Sequence, residues 1–246
     1  MDPSRGASPP KGGMSHRVSQ EVERDGGRAC YVPLTMTEIK VCGLTRPADA
    51  DRCAELGVDV IGLNFWPGTP RCIDIDRARA ILERWPKAAV AVFVDPAPER
   101  VAEVREATGI RWVQLHGEES PSFLASLQPH AYKAVGVADA SDIARARRFG
   151  GEHLLLDARV AGAMPGGTGQ GFDWALAEAV ARERRLTLAG GLNPENVGDA
   201  IVRVRPFRVD VASGVESAPG LKSAARLEAF VAAVRAADRG ERSLKT

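Results

Sequence analysis

The feature of this sequence that most constrains its fold is one unit that is repeated eight times. From Thr37 onward, a short β-branched or apolar run ends at a polar or glycine-containing loop, and an amphipathic segment follows. Strands that alternate with helices predict βαβ units and a parallel sheet. Eight such units in 246 residues indicate a closed (β/α)8 TIM barrel, for which about 250 residues are typical.

The hydrophobic pattern places each strand and helix. The predicted strands are Glu38–Cys42, Val58–Asn64, Ala89–Val94, Trp112–His116, Tyr132–Val137, His153–Asp157, Leu186–Ala189 and Arg208–Ala212. The predicted helices are Pro47–Leu56, Ile75–Trp85, Pro98–Thr108, Ser120–Leu127, Ser141–Phe149, Trp174–Arg184, Pro194–Val202 and Ser223–Ala237. A doubly wound dinucleotide-binding sheet is the alternative. It is disfavoured because the glycine-dense stretch Gly166–Gly171 directly follows no strand and lacks G-x-G-x-x-G spacing.

The sequence divides into a leader and one catalytic domain. Residues 1–36 are rich in glycine, proline, serine and charge, which predicts a disordered leader. Residues 37–240 form the predicted barrel domain, with no internal linker. Because Met36 directly precedes the first strand, we hypothesise that translation starts there and that the leader is an artefact of start-site assignment.

The composition limits the cellular compartments and the classes of partner that are expected for this chain. An apolar content of 44% and a net charge of +1 are ordinary for a soluble globule and indicate neither nucleic-acid nor membrane binding. No apolar run could span a bilayer, and the leader lacks the apolar core of a secretion signal. Four cysteines without a C-x-x-C pair and four scattered histidines support neither a disulfide framework nor a metal site. Free thiols favour the cytoplasm.

Chemically active side chains stand where strands of the predicted barrel end, which is where barrel enzymes carry their active sites. Cys42 ends the first strand, and Asp157 ends the sixth. Gln114 and His116 lie at the end of the fourth, and Arg71 lies on a Gly/Pro-stiffened loop after the second. Each could be purely structural by itself. Together, a thiol, a carboxylic acid and an arginine on one rim suit acid/base chemistry on a small molecule.

Two glycine-containing turns indicate a phosphate site. Gly190-Gly191 follows the seventh predicted strand, and Ser213-Gly214 follows the eighth. Small residues there leave backbone N–H groups free to bind an anion, and barrel enzymes frequently bind phosphate at these two loops. One such turn would be unremarkable, but two after adjacent strands favour a phosphorylated ligand. The glycine-rich loop Gly162–Trp174 is predicted to approach that ligand or close over it.

Five motifs in register resemble one family. KVCGLT, QLHG, GGTGQGFDW, GGLNPENV and VDVASGVE are similar to those of the phosphoribosylanthranilate isomerases, and the resemblance extends from about Glu38 to Arg235. It implies an isomerase of tryptophan biosynthesis that performs an Amadori rearrangement on a phosphorylated small molecule. It further implies that no organic cofactor or metal is needed, and we expect a monomer or homodimer.

The resemblance also assigns roles. Asp157 matches the general acid that opens the ribose ring, and Cys42 matches the general base that removes the C2′ proton. Arg71 matches the anchor of the anthranilate carboxylate, whose shape fits a guanidinium fork. The other implied substrate-binding residues are Gln114, His116, Gly167, Gly190, Gly191, Asp210, Ser213 and Gly214. Because the thiolate is the active base, we expect the pKa of Cys42 to be lowered towards neutrality.

The sequence departs from the family pattern at three positions. Thr69 replaces a serine, and Ala212 replaces the first serine of S-S-G, which leaves Ser213 to bind the phosphate. Ser223 replaces an aspartate after Lys222, and we predict that it caps the last helix. None of the three is in the acid/base pair.

Three alternatives remain open at this point. A histidine-pathway Amadori isomerase would carry an aspartate where Cys42 stands. A catalytically silent barrel scaffold would be favoured by loss of Cys42 or Asp157, and both are present. A covalent thiol nucleophile would need a base such as His116 close to Cys42.

Overall fold

The computed structural model describes residues 19–20, 32–33, 36–158 and 174–240. The chain divides into two compact units, Met1–Met36 and Thr37–Thr246. In the first, Ser19–Gln20 and Val32–Pro33 pair as a two-stranded antiparallel ribbon. Most of the leader lies outside the described residues, and its disorder stays a prediction.

The second unit is a closed parallel barrel, which confirms the predicted fold. Its strands follow one another in chain order, and the last pairs with both the first and the seventh. The strands are β1 (Glu38–Cys42), β2 (Val60–Asn64), β3 (Ala88–Phe93), β4 (Trp112–Leu115), β5 (Ala131–Val137), β6 (His153–Ala158), β7 (Arg185–Ala189) and β8 (Arg208–Val211).

A helix follows each strand. The helices are α1 (Pro47–Glu55), α2 (Ile75–Leu82), α3 (Pro98–Thr108), α4 (Pro121–Ser126), α5 (Ala140–Ala146), α6 (Ala175–Glu183), α7 (Val197–Val204) and α8 (Ala224–Asp238). Before α8, the chain forms a 3-10 turn, Ser213–Val215, and a short hairpin of Glu216–Ala218 with Leu221–Lys222. The sequence patterns did not predict this hairpin.

Local hydrogen bonds explain where helix ends differ from prediction. The start of α7 is later than predicted because the side-chain oxygen of Asn193 accepts the N–H groups of Glu195 and Asn196, which holds a turn there. The end of α2 is earlier because the N–H of Trp85 bonds to the carbonyl of Leu82, a tighter turn than an α-helix makes. At α8, the Ser223 hydroxyl accepts the Arg226 N–H at 3.4 Å, which confirms the predicted N-cap.

The core has two layers, and strand alternation decides which residues enter each. Ile39 and Val41 of β1 point outward into the large apolar layer between strands and helices. Lys40 and Cys42 of the same strand therefore point into the barrel. The smaller interior layer consists of Cys42, Val60, Val90, Val92, Tyr132, Ala134, Leu155 and Ala189. This alternation places a lysine and a thiol together below the carboxyl ends of the strands.

Candidate active site

A cavity of about 310 Å³ opens at the carboxyl ends of the strands. The predicted site residues that line it are Cys42, Arg71, Gln114, His116, Asp157, Gly190, Gly191, Asp210 and Ser213. Gly214 follows directly, at a point where an added Cβ would lie 1.9 Å from the carbonyl oxygen of Leu192. Gly167 lies outside the described residues, as does the loop predicted to close over the ligand.

Cys42 is 9% exposed and lines the wall of the cavity. Gly62, its register partner on β2, leaves the space that the thiol uses, since a Cβ there would lie 2.7 Å from Sγ. Burial raises the pKa of this thiol, and the nearby Lys40 ammonium only partly opposes that rise. The predicted lowering of the Cys42 pKa is therefore wrong, because removal from water disfavours the thiolate.

Below Cys42 lies a buried polar network that the sequence patterns did not reveal. Lys40 Nζ donates to Asp210 Oδ2 at 2.6 Å and to Gln114 Oε1 at 3.0 Å. The Tyr132 hydroxyl donates to the same Gln114 oxygen at 3.0 Å. Burial opposes the charge of Lys40, but the attraction of Asp210, Cys42 and Tyr132 outweighs it and raises the lysine's pKa. Lys40 therefore carries a positive charge inside the barrel.

Asp157 stands at the opposite end of this network. Its Oδ2 lies 3.2 Å from His116 Nε2, and His116 Nδ1 lies 3.3 Å from Gln114 Nε2. Because the Gln114 oxygen already accepts two bonds, its amide nitrogen faces the histidine and can only donate. His116 Nδ1 must then accept, so the ring proton lies on Nε2 and points at Asp157. The other carboxylate oxygen, Asp157 Oδ1, is buried and has no hydrogen-bond partner in the part of the chain that the structure describes.

Arg71 is held at the cavity by a second buried carboxylate. Its Nε and Nη2 donate to the two oxygens of Glu216 at 2.8 and 2.6 Å. Lys222 Nζ donates to Glu216 Oε1 at 2.9 Å, and also to the backbone carbonyls of Cys42 and Ala212. One lysine thus ties the ends of β1 and β8 to the carboxylate that orients Arg71. Burial of Glu216 works against its charge, but Arg71 and Lys222 prevail and lower its pKa.

Glu216 and Lys222 were not predicted as site residues. Glu216 does end the VDVASGVE motif, which was a usable signal, whereas Lys222 carried none beyond its place before the last helix. Gly43 completes this corner of the site. It has a φ of 75°, and an added Cβ would lie 2.5 Å from Arg71 Cδ, so glycine is needed for both the turn and the path of the arginine.

The loops after β7 and β8 form the part of the cavity predicted to hold phosphate. Gly190 and Gly191 have φ values of 90° and 65°, a backbone conformation that favours glycine. The Asn196 side-chain amide donates to the Gly191 carbonyl at 2.9 Å and fixes the turn. Ser213 of the neighbouring loop lines the cavity beside these glycines, and turns of such small residues are a common setting for backbone N–H groups that bind phosphate.

Within residues 36–158 and 174–240, no group of three or more histidine, cysteine, aspartate or glutamate side chains is arranged to hold a metal ion. Within the same ranges, every helix is too short or too polar to cross a membrane.

Comparison with known proteins settles the family. Residues 39–233 match the family model of N-(5'-phosphoribosyl)anthranilate (PRA) isomerase. The chain belongs to this family. It is an isomerase of tryptophan biosynthesis. Its primary function is therefore neither that of a catalytically silent scaffold nor that of a histidine-pathway isomerase.

Relatives of the isomerase agree in sequence and in structure. The N-(5'-phosphoribosyl)anthranilate isomerase of Myxococcus xanthus is 43% identical over 206 residues, which cover 80% of this chain and 95% of the relative. The crystal structure of the Thermotoga maritima enzyme is 38% identical, with a TM-score of 0.75 over 81% of this chain and 99% of that one. A further structure of such an isomerase, in complex with reduced 1-(o-carboxyphenylamino)-1-deoxyribulose 5-phosphate, is 38% identical with a TM-score of 0.72 and the same coverage.

Proposed function

We propose that Asp157 and Cys42 are the acid and base with which this isomerase converts N-(5-phosphoribosyl)anthranilate to 1-(2-carboxyphenylamino)-1-deoxyribulose 5-phosphate. The observation that carries the proposal is that both side chains line one cavity, from the ends of two strands that are not neighbours. A substrate between them can be protonated on one side and deprotonated on the other, as an Amadori rearrangement requires.

The first step opens the ribose ring. Protonated Asp157 donates its proton to the ring oxygen, the bond from C1′ to that oxygen breaks, and the anthranilate nitrogen lone pair forms a C1′=N Schiff base. Asp157 suits this role because its side chain lines the cavity, and its Oδ1 atom accepts no hydrogen bond from the described residues. His116, whose Nε2 proton points at Oδ2, orients the carboxyl group and stabilises the anion that remains.

The second step moves the double bond. The Cys42 thiolate takes the proton from C2′, the freed electron pair forms the C1′=C2′ bond, and the cationic nitrogen is neutralised to give an enolamine. Tautomerisation of the enolamine then gives the ketone. The chemistry needs only a proton donor and a proton acceptor at fixed positions.

Substrate binding is divided between the two ends of the cavity. Glu216 occupies Nε and one Nη2 proton of Arg71, so the opposite edge of the guanidinium remains for the anthranilate carboxylate. At the other end, backbone N–H groups of Gly190, Gly191, Ser213 and Gly214, together with Gly167 from the loop after β6, bind the phosphate. Asp210 and Gln114 contact the sugar hydroxyls between these ends.

The remaining proposals concern the setting of the enzyme. We propose that residues 37–240 act as one catalytic domain, independent of the leader at residues 1–36, in the cytoplasm. We propose a monomer or homodimer, supported by a Thermotoga maritima relative described as dimeric, which is 38% identical to this chain. Light scattering and fluorescence-based turnover, measured on the full chain and on a chain that starts at Met36, test the assembly and the independence of the domain. We expect at most two subunits and equal turnover, whereas a larger assembly or loss of turnover in the shorter chain would contradict these proposals.

The test of the acid/base pair is the decay of anthranilate fluorescence when purified protein meets freshly made phosphoribosylanthranilate. Cys42→Ala and Asp157→Asn should each lower kcat by about 10²- to 10⁴-fold, the usual contribution of a general acid or base. Cys53→Ala is the matched control, since Cys53 is a fully buried free thiol on α1 that does not line the cavity.

Turnover that survives Cys42→Ala would overturn the base assignment. Mass spectrometry during turnover separates the covalent alternative, in which the Cys42 thiol would carry a substrate adduct. We expect an unmodified chain throughout.

A further inference from the structure

The proposed base has an electrostatic difficulty. A buried thiol resists ionisation, yet only the thiolate can take the C2′ proton. Charged or titratable groups face Cys42 from several elements of the barrel. They are Lys40 on β1, Arg71 after β2, Tyr132 on β5, Asp210 on β8 and Lys222 before α8.

Lys40 and Lys222 differ in how many of their ammonium protons are already hydrogen-bonded. Lys222 Nζ has three protons and three acceptors, Glu216 and the carbonyls of Cys42 and Ala212, so none of its protons remains for the thiol. Among the described residues, Lys40 Nζ donates to Asp210 Oδ2 and Gln114 Oε1, which leaves its third proton for the nearby Cys42 thiol. Lys40 is fully buried and shares the interior face of β1 with Cys42.

The partner of Lys40 is incompletely bonded. Asp210 Oδ2 holds the ammonium at 2.6 Å, whereas the buried Asp210 Oδ1 has no hydrogen-bond partner among the described residues and belongs to a side chain that lines the cavity. A hydroxyl group of a sugar is the natural donor to such an oxygen. Once bonded to a hydroxyl, the carboxylate exerts a weaker pull on Lys40 and a weaker repulsion on the thiolate.

We propose that Lys40 is the positioning residue that stabilises the thiolate of Cys42, and that Asp210 limits this stabilisation until a substrate hydroxyl bonds to its free oxygen. The inference rests on the proposed role of Cys42 as the base. On ionisation the Sγ–H bond breaks, the proton passes to solvent and the electron pair stays on sulfur, beside the third Lys40 proton. Binding of the sugar thereby prepares the base that acts on it.

The electrostatic signs agree with this geometry. Burial is the largest effect on Cys42 and raises its pKa, Lys40 lowers it, and Asp210 raises it. Removal of the lysine charge and removal of the aspartate charge should therefore move the ionisation of the thiol in opposite directions. Opposite shifts distinguish an electrostatic role from general damage to the site. General damage would shift the ionisation of the thiol in the same direction in both variants, or in neither variant.

The experiment is the pH dependence of Cys42 alkylation by iodoacetamide in the unliganded full chain, with Cys30, Cys53 and Cys72 replaced by serine so that one thiol reacts. Lys40→Met should slow alkylation at neutral pH by about tenfold or more and shift the midpoint of the pH profile to higher pH. A tenfold fall in the thiolate fraction corresponds to a rise of about one unit in the pKa of the thiol. Asp210→Asn should speed alkylation and shift the midpoint to lower pH. Circular dichroism verifies folding, and Lys40→Gln is a second neutral variant.

Lys133→Met is the matched control, because Lys133 is also a buried lysine paired with one carboxylate, on the outer face of β5. It should leave the alkylation midpoint where it is in the parent. A Lys40→Met midpoint that moves no further than that of Lys133→Met would overturn the inference, as would a shift of the same sign in Asp210→Asn.

Turnover adds an independent readout. Lys40→Met should lower kcat with little change in KM, and the acidic limb of the pH profile of kcat should move to higher pH. The alkylation result does not depend on isomerase activity. Full turnover by Cys42→Ala would therefore overturn the base assignment, whereas unchanged alkylation in Lys40→Met would overturn only the role of Lys40.

Discussion

Two buried lysine–carboxylate pairs of the barrel differ in how completely they are hydrogen-bonded. Lys133–Glu119 and Lys40–Asp210 have similar lengths, 2.7 and 2.6 Å, and in both pairs the side chains are less than one-tenth exposed. One pair lies outside the strands under the loop after β4, and the other lies inside the barrel below the cavity. The pairs differ in whether a carboxylate oxygen lacks a hydrogen-bond partner among the described residues.

The Lys133–Glu119 pair is saturated. Lys133 donates to Glu119 and to the carbonyls of Leu115 and Gly117, and the Glu119 oxygens also accept the N–H groups of Asp95 and Gly117. Asp95 has a φ of 46°, a strained conformation for a residue other than glycine, and the bond to Glu119 helps to hold it. This pair binds two loops of the mouth together and leaves nothing for a ligand.

The Lys40–Asp210 pair is not saturated by the described residues, and its carboxylate belongs to a side chain that lines the cavity. Asp210 Oδ1 and Asp157 Oδ1 are both buried carboxylate oxygens that accept no hydrogen bond within residues 36–158 and 174–240, and both side chains line the cavity. An unsatisfied charged acceptor is expensive to keep, so a ligand is its natural complement. The contrast favours a structural role for the saturated pair and a ligand-binding role for the pair with an unbonded carboxylate oxygen.

The largest expected effect is on stability, in Lys133→Met. Removal of one partner leaves Glu119 buried without its cation, and the free energy of unfolding should fall by about 3–5 kcal/mol. Lys40→Met should cost less, because the orphaned Asp210 borders the cavity and can be hydrated or protonated there. Urea denaturation followed by circular dichroism measures both.

The double variant Lys133→Met/Glu119→Leu is the control for that result. If the penalty comes from an unpaired charge, removal of both partners should restore part of the lost stability. An equal loss in Lys40→Met and Lys133→Met would break the distinction between the two pairs.

The same contrast explains what the sequence could and could not predict. Strand alternation and strand ends sufficed for the barrel, for Cys42 and for Asp157, because these follow from local periodicity and from where parallel strands terminate. The Lys40–Asp210 pair joins residues 170 apart in sequence, and periodicity puts Lys40 inside the barrel without naming its partner. Likewise, no local sequence pattern predicts that Lys222 donates to the Cys42 carbonyl, 180 residues away.

A second prediction sharpens the comparison, because Glu216 is saturated and yet holds a residue proposed to bind substrate. In Glu216→Gln the amide can still accept one bond from Arg71, but the two-pronged ionic contact is lost. We expect KM for phosphoribosylanthranilate to rise about tenfold, or roughly 1.4 kcal/mol of binding, with a smaller change in kcat. Steady-state fluorescence kinetics measures both constants, and an unchanged KM would show that Arg71 needs no help from Glu216.

The pH dependence of stability tests the same carboxylate. The folded pKa of Glu216 lies below its ordinary value of 4.5, chiefly because the bonds to Arg71 and Lys222 outweigh its burial. The stability it contributes is therefore fully present above pH 4.5 and is lost as the pH falls through the folded pKa. The urea midpoints of wild type and Glu216→Gln should differ most above pH 4.5 and converge below it. A gap that widens on acidification would contradict this sign.

The smallest effect should come from an ion pair with good geometry at the surface. Arg147 donates to both oxygens of Glu183, at 3.1 and 2.6 Å, but the two side chains are 50% and 45% exposed. Water screens the charges and can replace either partner, so Arg147→Ala should lower the free energy of unfolding by less than about 1 kcal/mol. Urea denaturation beside Lys133→Met makes the comparison direct. A loss as large as that of Lys133→Met would mean that bidentate geometry, rather than burial, sets the energy of these pairs.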